Sequence, residues 1–366
     1  MKVIYFITGL TVGGAEIVTI GIANKMCEKG HKVTIVYLTG ENQLVQRISP
    51  GVRVIPLHMP KNAKGFVKAQ IEAARLVKMI EPDVIHGNMF HANIFIRILR
   101  LHCHVHYLIS TEHSNNTYGY IKALLYRLTD WFSDINTNVS QKATDHFINV
   151  KAFSKNKSMP MYNGIDTSRF QKNLEMREKI RTEYNISDTD FLFINVGRLT
   201  EAKNQSGLIN AFYSLSFHYQ NVKLIIVGEG ELRLELENQI RSLKLNDKVI
   251  LTGNKDNPPD YYSAADCFVM SSSWEGFGLV LAEAMSCELP VIATDAGGCA
   301  EVVVNRDYLV PIDNKEALSE KMKMIYHTPL VERIALGINN KVLAQRFDMD
   351  TIVNKWITLY RNVFSL

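Results

Sequence analysis

The sequence predicts an α/β fold of two Rossmann-like, doubly wound domains facing a cleft. Three observations predict it. Short β-rich runs alternate with helical stretches through the first half, the pattern that builds a parallel sheet covered by helices. The same grammar then restarts: "FLFINVGRLTEAKN" at 191–204 echoes "VIYFITGLTVGGAE" at 3–16, with strand, glycine, loop and helix in the same order. Finally, 366 residues, 46% of them hydrophobic, are enough for two cores.

Taken in order, "KVIYFIT" reads as the first strand. A glycine loop follows, then a helix over Ala15–Lys29 that Gly30 ends. "KVTIVYL", "VRVIPL", "DVIHG", "VHYLIS" and "DINTNV" are further strands, with helices over Gly65–Ile80 and Tyr120–Phe132 between some of them. The polar stretch Asn163–Asp190 is the expected join. Beyond it "KLIIVG", "KVILTG", "CFVMSS" and "LPVIAT" continue the second half. The expected domains are 1–165 and 166–349, with a last helix at about 350–366 crossing back to the first.

Composition narrows the function. No apolar run is long enough to span a bilayer. The N-terminus lacks a small-residue cleavage site and reads as a strand instead of a signal peptide. Five cysteines, none in a C-x-x-C pair, argue against a disulfide framework and for a reducing cytoplasm. Residues 1–165 hold 19 Lys and Arg against 10 Asp and Glu, and residues 166–366 hold 22 against 27, a split of +9 and −5 behind the net +4. A basic front half suits an anionic lipid surface or phosphorylated acceptor; ordinary surface charge is the plainer reading. Nothing calls for a nucleic-acid partner.

Ligands of doubly wound folds sit beyond the carboxyl ends of the strands. Gly13 and Gly14 follow the first strand there and precede a helix, so their amides could approach an anion. "GLTVGG" is not G-x-G-x-x-G, and no acid ends the second strand to hold a ribose, so dinucleotide binding is weakly supported. In the second half Arg198 and Lys203 follow Gly197; fixed cations there would stabilise a diphosphate leaving group. A solvated basic loop is the alternative.

"SSSWEGFGLVLAEAMSCELPVIAT", residues 271–294, carries two carboxylates in a nearly uncharged stretch. Glu275 falls in the loop after a strand. Amides near Gly278, Leu279 and Val280, just past Phe277, open a helix and would point at a phosphate. Glu283 lies one turn into that helix, placed to accept both hydroxyls of a ribose. Helix capping explains Glu275 as well, but it leaves Glu283, flanked by Leu281, Ala282, Ala284 and Met285, without a role.

These motifs together carry a resemblance. "GGAE" at Gly13–Glu16, "TEHS" around His113, "NGID" at Asn163–Asp166, "GRLTEAKN" at Gly197–Asn204, "VGEGEL" around Gly228, E-x7-E at Glu275 and Glu283, and "TDAGGCAE" at Thr294–Glu301 occur in this order. The chain resembles a family 4 glycosyltransferase of the GT-B fold, of the bacterial polysaccharide and O-antigen type, over nearly its whole length. The family is retaining and nucleotide-sugar dependent. The resemblance implies that Gly14 offers its amide to the donor diphosphate and that Arg198 and Lys203 neutralise it. It further implies that Glu275 touches the donor sugar, Glu283 the ribose and His113 the transferred sugar, while backbone around Asn254 reads the base; Gly13, Gly197 and Phe277 complete the donor site. No metal or cofactor is then needed, and no dedicated protein base. A UDP-sugar is favoured over a GDP-sugar, and the acceptor is a glycan or polyprenyl-diphosphate-linked sugar. An epimerase of the same fold would need an acid/base pair that is not evident, an NAD-dependent oxidoreductase the missing fingerprint. A non-catalytic sugar-nucleotide-binding protein is the other alternative.

Other signals are weaker. Asp188-Thr189-Asp190 and Asp348-Met349-Asp350 spell D-x-D, but neither ends a strand, and His102, His104 and His106 lack further clustered ligands. Cys267 and Cys287 read as core, and "NGID" as an interdomain turn. "GYIKALLYRLTDWF" is amphipathic, with Lys122 and Arg127 among apolar residues, and Lys61, Lys64 and Lys68 lie in the same basic half. Either this helix buries its apolar face in the core or it meets an anionic membrane, on the inner face of the cytoplasmic membrane.

Overall fold

The structure, a computed structural model, describes residues 1–11, 13–116 and 119–362. It divides into two units, Met1–Gly164 with Met349–Leu366, and Ile165–Asp348. The joins thus fall one residue before the expected ones.

Among the described residues the first unit is built on seven parallel strands: β1 (Lys2–Ile7), β2 (Lys32–Tyr37), β3 (Arg53–Pro56), β4 (Val84–Asn88), β5 (Tyr107–Glu112), β6 (Ile135–Asn138) and β7 (Ser158–Pro160). Their order is β3-β2-β1-β4-β5-β6-β7. The second has β8 (Phe191–Val196), β9 (Val222–Val227), β10 (Val249–Leu251), β11 (Cys267–Met270), β12 (Val291–Thr294) and β13 (Leu309–Val310), ordered β10-β9-β8-β11-β12-β13. The inner strands are near-continuous aliphatic and aromatic runs because helices cover both faces of a parallel sheet. Ile4, Phe6, Ile85 and Leu108 pack under Ala73, Val77, Phe95 and Ile96 in the first core. Phe193, Leu224, Ile226 and Val269 pack under Leu208, Phe212 and Met322 in the second. Strand order reverses between β1 and β4 and again between β8 and β11, which opens a crevice at each sheet's carboxyl edge.

The helix Met349–Asn362 belongs to the first unit; residues 363–366 of the expected span lie outside the described residues. Tyr360 Oη sits 3.1 Å from Tyr5 Oη and 2.7 Å from His86 Nδ1, and the Trp356 ring lies 4.7 Å from the His86 ring. Asp350 pairs with Lys29 at 2.8 Å and Lys25 at 3.3 Å. The sequence reading left out the short β7 and β13, the helices Phe90–Leu99 and Gln141–Asn149, and the longer helices Lys315–His327 and Leu330–Ala344. Tyr120–Phe132 is an α-helix only to Thr129, after which the chain tightens into a 3₁₀ turn over Asp130–Phe132.

The first core also holds polar groups. Arg97 is fully buried and donates to Ser110 Oγ, the Tyr126 carbonyl and Asn136 Oδ1. Beside it the Tyr126 hydroxyl donates to Glu112. Burial pushes Glu112 up to about 7 and pushes His86 and His113 down to about 3 and about 4. These shifts fix a pH dependence. The two histidines take protons in the unfolded chain below their usual 6.5 and resist them when folded. Their contribution is therefore whole above that pH and is lost as pH falls toward their folded values. Glu112 acts in the opposite sense: it favours the folded state below its usual 4.5, and that contribution is lost as pH rises through about 7. Two groups outweigh one, so the unfolding midpoint should fall between pH 6.5 and 4.5. Glu112→Gln removes the counterweight and should steepen that fall in thermal melts; a profile no steeper than the parent's would contradict the assignment.

Candidate functional site

The strongest arrangement lies at the carboxyl ends of β8 and β11, on either side of the reversal in the second sheet. Gly197 follows β8, and its N–H donates to the Val227 carbonyl at 2.9 Å. A Cβ there would stand in ordinary contact with the stem of Lys203, at 3.6 Å. At its tip, Lys203 Nζ donates to Glu275 Oε2 at 2.6 Å, with the two side chains 23% and 15% exposed. The loops carrying them are tied together: Ser271 Oγ donates to the Lys203 carbonyl at 2.9 Å and Ser273 N to the Ala202 carbonyl at 2.9 Å. Arg198 is exposed beside them; its carbonyl accepts from Gln205 Nε2 at 3.0 Å.

Glu275 leads into the buried Phe277, whose ring meets Phe347 edge-on at 5.0 Å. Gly278 then turns with φ +93° into the helix Leu279–Ser286. That left-handed turn suits glycine, and no side chain caps the helix start. Its first turn carries Leu279 and Val280, both half-buried. Amide donors and the helix dipole there favour an anion. One turn on, Glu283 Oε2 accepts from the Tyr262 hydroxyl at 2.9 Å. The second carboxylate is thus held in place by a buried phenol on the preceding helix, Pro258–Ala264. Asn254 is exposed after β10, past the bridge between Gly253 and Gly228.

In the first unit, His113 follows β5, and its Nε2 lies 3.0 Å from Asn88 Oδ1 at the end of β4. Gly13 is extended and Gly14 begins the helix Gly14–Glu28. Here the structure adds something the sequence reading omitted. The Glu16 carboxylate folds back over Gly13, where a side chain would strike it, and it accepts from Thr11 Oγ1 at 3.4 Å. Val12, inside the same glycine loop, lies outside the described residues.

A cavity of about 1200 Å³ lies elsewhere in the first unit, lined by Phe66, Ile71, Val77, His102 and His104. Lys2 and Asp83 also line it, which puts it at the amino ends of β1 and β4, the edge opposite the crevice. Doubly wound folds do not place their main ligand there. His102, His104 and His106 all border it, and among the described residues no three His, Cys, Asp or Glu side chains gather as a metal site. Of the D-x-D acids, Asp190 accepts from Ser187 N and Asp348 from the Thr167 hydroxyl.

Of the residues that the sequence singles out, Gly197, Arg198, Lys203, Glu275, Phe277, Gly278 and Glu283 lie toward one sheet edge. Sequence reasoning missed Tyr262, Asn88 and the direct Lys203–Glu275 pair. Residue spacing gives no signal for contacts 72, 25 and 21 positions apart.

Comparison with known proteins accords with this geometry. The Glycosyltransferase Family 4 model matches residues 12–169, and the model described as Glycosyl transferases group 1 matches residues 176–341. The chain is 23% identical over 382 residues to the O-antigen biosynthesis glycosyltransferase WclY of Escherichia coli, covering 100% of this chain and 99% of the relative. It is 32% identical over 201 residues to a Campylobacter jejuni enzyme, N-acetylgalactosamine-N,N'-diacetylbacillosaminyl-diphospho-undecaprenol 4-alpha-N-acetylgalactosaminyltransferase, covering 54% of this chain and 52% of that one. The crystal structure of Anabaena HepE in complex with UDP shares the fold, with a TM-score of 0.85 at 23% identity over 100% of both chains. A doubly wound first unit that fits the Family 4 model, joined to a second that fits the group 1 model, makes this chain a family 4 glycosyltransferase of the GT-B fold.

Proposed function

We propose that the chain moves a sugar from a nucleotide-diphosphate sugar, with a UDP-sugar favoured, onto a lipid-linked or glycan acceptor in bacterial surface polysaccharide synthesis. The observation that carries this reading is the Lys203–Glu275 pair, set on Gly197 beside the uncapped start of Leu279–Ser286. As the bond from the sugar to the diphosphate breaks, negative charge grows on the leaving oxygen. In this reading that charge meets Lys203, held by Glu275, with Arg198 and the amides of Leu279 and Val280, and preorganised groups of this kind lower the barrier. Glu275, one hydrogen bond away, takes the sugar hydroxyls, and Glu283, steadied by Tyr262, takes the ribose. Asn254 backbone reads the base, and His113 accepts from a hydroxyl of the transferred sugar.

Transfer proceeds with retention: the acceptor hydroxyl attacks from the face the diphosphate leaves, and a diphosphate oxygen takes its proton. The step needs no protein base and no metal. The Campylobacter relative's name supports an acceptor carried on diphospho-undecaprenol and N-acetylhexosamine as the sugar. A thermal-shift screen across UDP- and GDP-sugars tests the reading. UDP-N-acetylhexosamines should stabilise the fold and release UDP when an acceptor is present; stabilisation by NAD and by no sugar nucleotide would end it.

The acceptor reading extends to an anionic membrane surface. Tyr120–Thr129 points its apolar stripe outward: Tyr120, Ile121 and Leu128 are 80%, 72% and 61% exposed, and Trp131 just beyond is 70% exposed. Tyr126 is the helix's buried residue. Lys61, Lys64 and Lys68 are exposed in the same unit. An outward aromatic and aliphatic stripe with basic neighbours suits a headgroup layer. No helix among the described residues is long and apolar enough to cross a membrane. In flotation with phosphatidylglycerol vesicles, Ile121→Glu with Trp131→Ala should abolish binding, and reversing Lys61, Lys64 and Lys68 should weaken it. Unchanged flotation of both variants, or no flotation of the parent, defeats the extension.

A further inference from the structure

The edge of the first sheet holds polar groups that the protein itself leaves unmatched. Register sets Asn88 beside Thr111, and His113 emerges two residues later. Asn88 Oδ1 lies 3.0 Å from His113 Nε2. A carboxamide oxygen only accepts, so the proton of this bond belongs to Nε2, and Nδ1 carries a bare lone pair. That Nδ1 is buried without a hydrogen-bond partner, and so is Asn88 Nδ2, on a residue only 4% exposed. Thr8 Oγ1, just past β1, is a further buried polar atom without a partner. A buried donor and acceptor left unmade each cost stability. The chain is also strained at this point. Met89 takes φ +73° to turn β4 into the helix Phe90–Leu99, a conformation that side chains adopt rarely and that gathers at binding sites.

We propose that Asn88 is a positioning residue: it locks His113 as the Nε2-protonated neutral tautomer, so that the pair offers one acceptor, Nδ1, and one donor, Asn88 Nδ2, to a sugar hydroxyl. The inference rests on the transferase reading above for the identity of that hydroxyl, though not for the tautomer. Burial supports it by holding the imidazole down to about 4, hence neutral at pH 7. An imidazolium would have no lone pair to give.

The test uses the full chain with ¹⁵N-labelled histidine and long-range proton–nitrogen spectra, with the His113 signal identified by its loss in His113→Gln. The parent should show a single Nε2-protonated neutral ring from pH 5.5 to 8. Asn88→Ala should give a mixture of tautomers, and Asn88→Asp should restore the Nε2-protonated form and raise the pKa of His113. Should the alanine variant misfold, Asn88→Asp against the parent still reads the coupling. A parent ring protonated on Nδ1, or a His113 signal indifferent to both substitutions, overturns the proposal. With UDP-N-acetylglucosamine as probe, UDP release should fall about tenfold in kcat for Asn88→Ala, the worth of one hydrogen bond, with KM nearly unchanged, and Asn88→Asp, which restores the tautomer but not the Nδ2 donor, should recover only part of it. Failure of the parent to use any sugar nucleotide would remove the transferase reading, while the tautomer result decides the role of Asn88 either way.

Discussion

Lys203→Ala is expected to cut sugar transfer by about 10²–10³-fold, the loss typical of removing one preorganised charge-stabilising group. The size follows from what is left behind. Lys203 Nζ is the hydrogen-bond partner of Glu275 Oε2, and both side chains are mostly shielded from water. Without the ammonium, the leaving diphosphate loses a cation and faces a bare carboxylate as well. Glu275→Ala should also cut turnover steeply, but by releasing the sugar hydroxyls. The two effects will not add, because the residues are in contact. Folding should survive both changes: a part-buried pair of this kind is worth about 1–2 kcal/mol, between surface and fully buried values. UDP release measured beside a thermal melt separates catalysis from folding. Full turnover in Lys203→Ala would remove the lysine from the mechanism.

Gly228→Ala should be the most damaging small substitution in the second unit, at about 3 kcal/mol or more. Gly228 sits at φ +146°, and a methyl group there would run into the Gly197 carbonyl. Neither backbone can retreat freely. Gly228 N donates to the Gly253 carbonyl at 3.0 Å and Gly197 N to the Val227 carbonyl at 2.9 Å. The clash therefore transmits to Gly197 and Arg198, and nucleotide stabilisation should vanish with the lost stability. Gly230 stands in the same relation to the Leu199 carbonyl. Gly40→Ala is the control: its φ is +81°, but nothing lies within 4 Å, so only the backbone cost of about 1 kcal/mol applies. Equal losses at Gly40 and Gly228 in denaturant titrations would show that conformation, and not the close approach to Gly197, sets the cost.

The strands and helices that were legible each rest on a local pattern, whereas Lys315–His327 and Leu330–Ala344 were not read. β1 and β8 are aliphatic and aromatic runs closed by glycine loops, and the helix that opens at Gly278 follows such a strand. The short elements carry too few residues to show a period: β13 is two residues long. The direction of an amphipathic face was not legible either. The pattern of Tyr120–Thr129 says that one side is apolar, and only tertiary packing around Tyr126 decides that this side faces outward. For the candidate site, residue types and order single out Lys203, Glu275 and Glu283. Their partners were hidden because the contacts join separate strands and helices. Glu16 is the opposite case: it stands at N3 behind the N-cap Gly13, a spacing from which an acid can fold back over the cap, but the sequence reading did not draw that out.

The most direct measurement is a crystal structure grown with UDP-N-acetylglucosamine. The diphosphate should lie past the carboxyl ends of β8 and β11, with Lys203 and Arg198 on its oxygens, the amides of Leu279 and Val280 beneath it and the ribose on Glu283. A nucleotide seated elsewhere, such as among Phe66, Ile71 and His102 at the amino edge of the first sheet, would contradict the account.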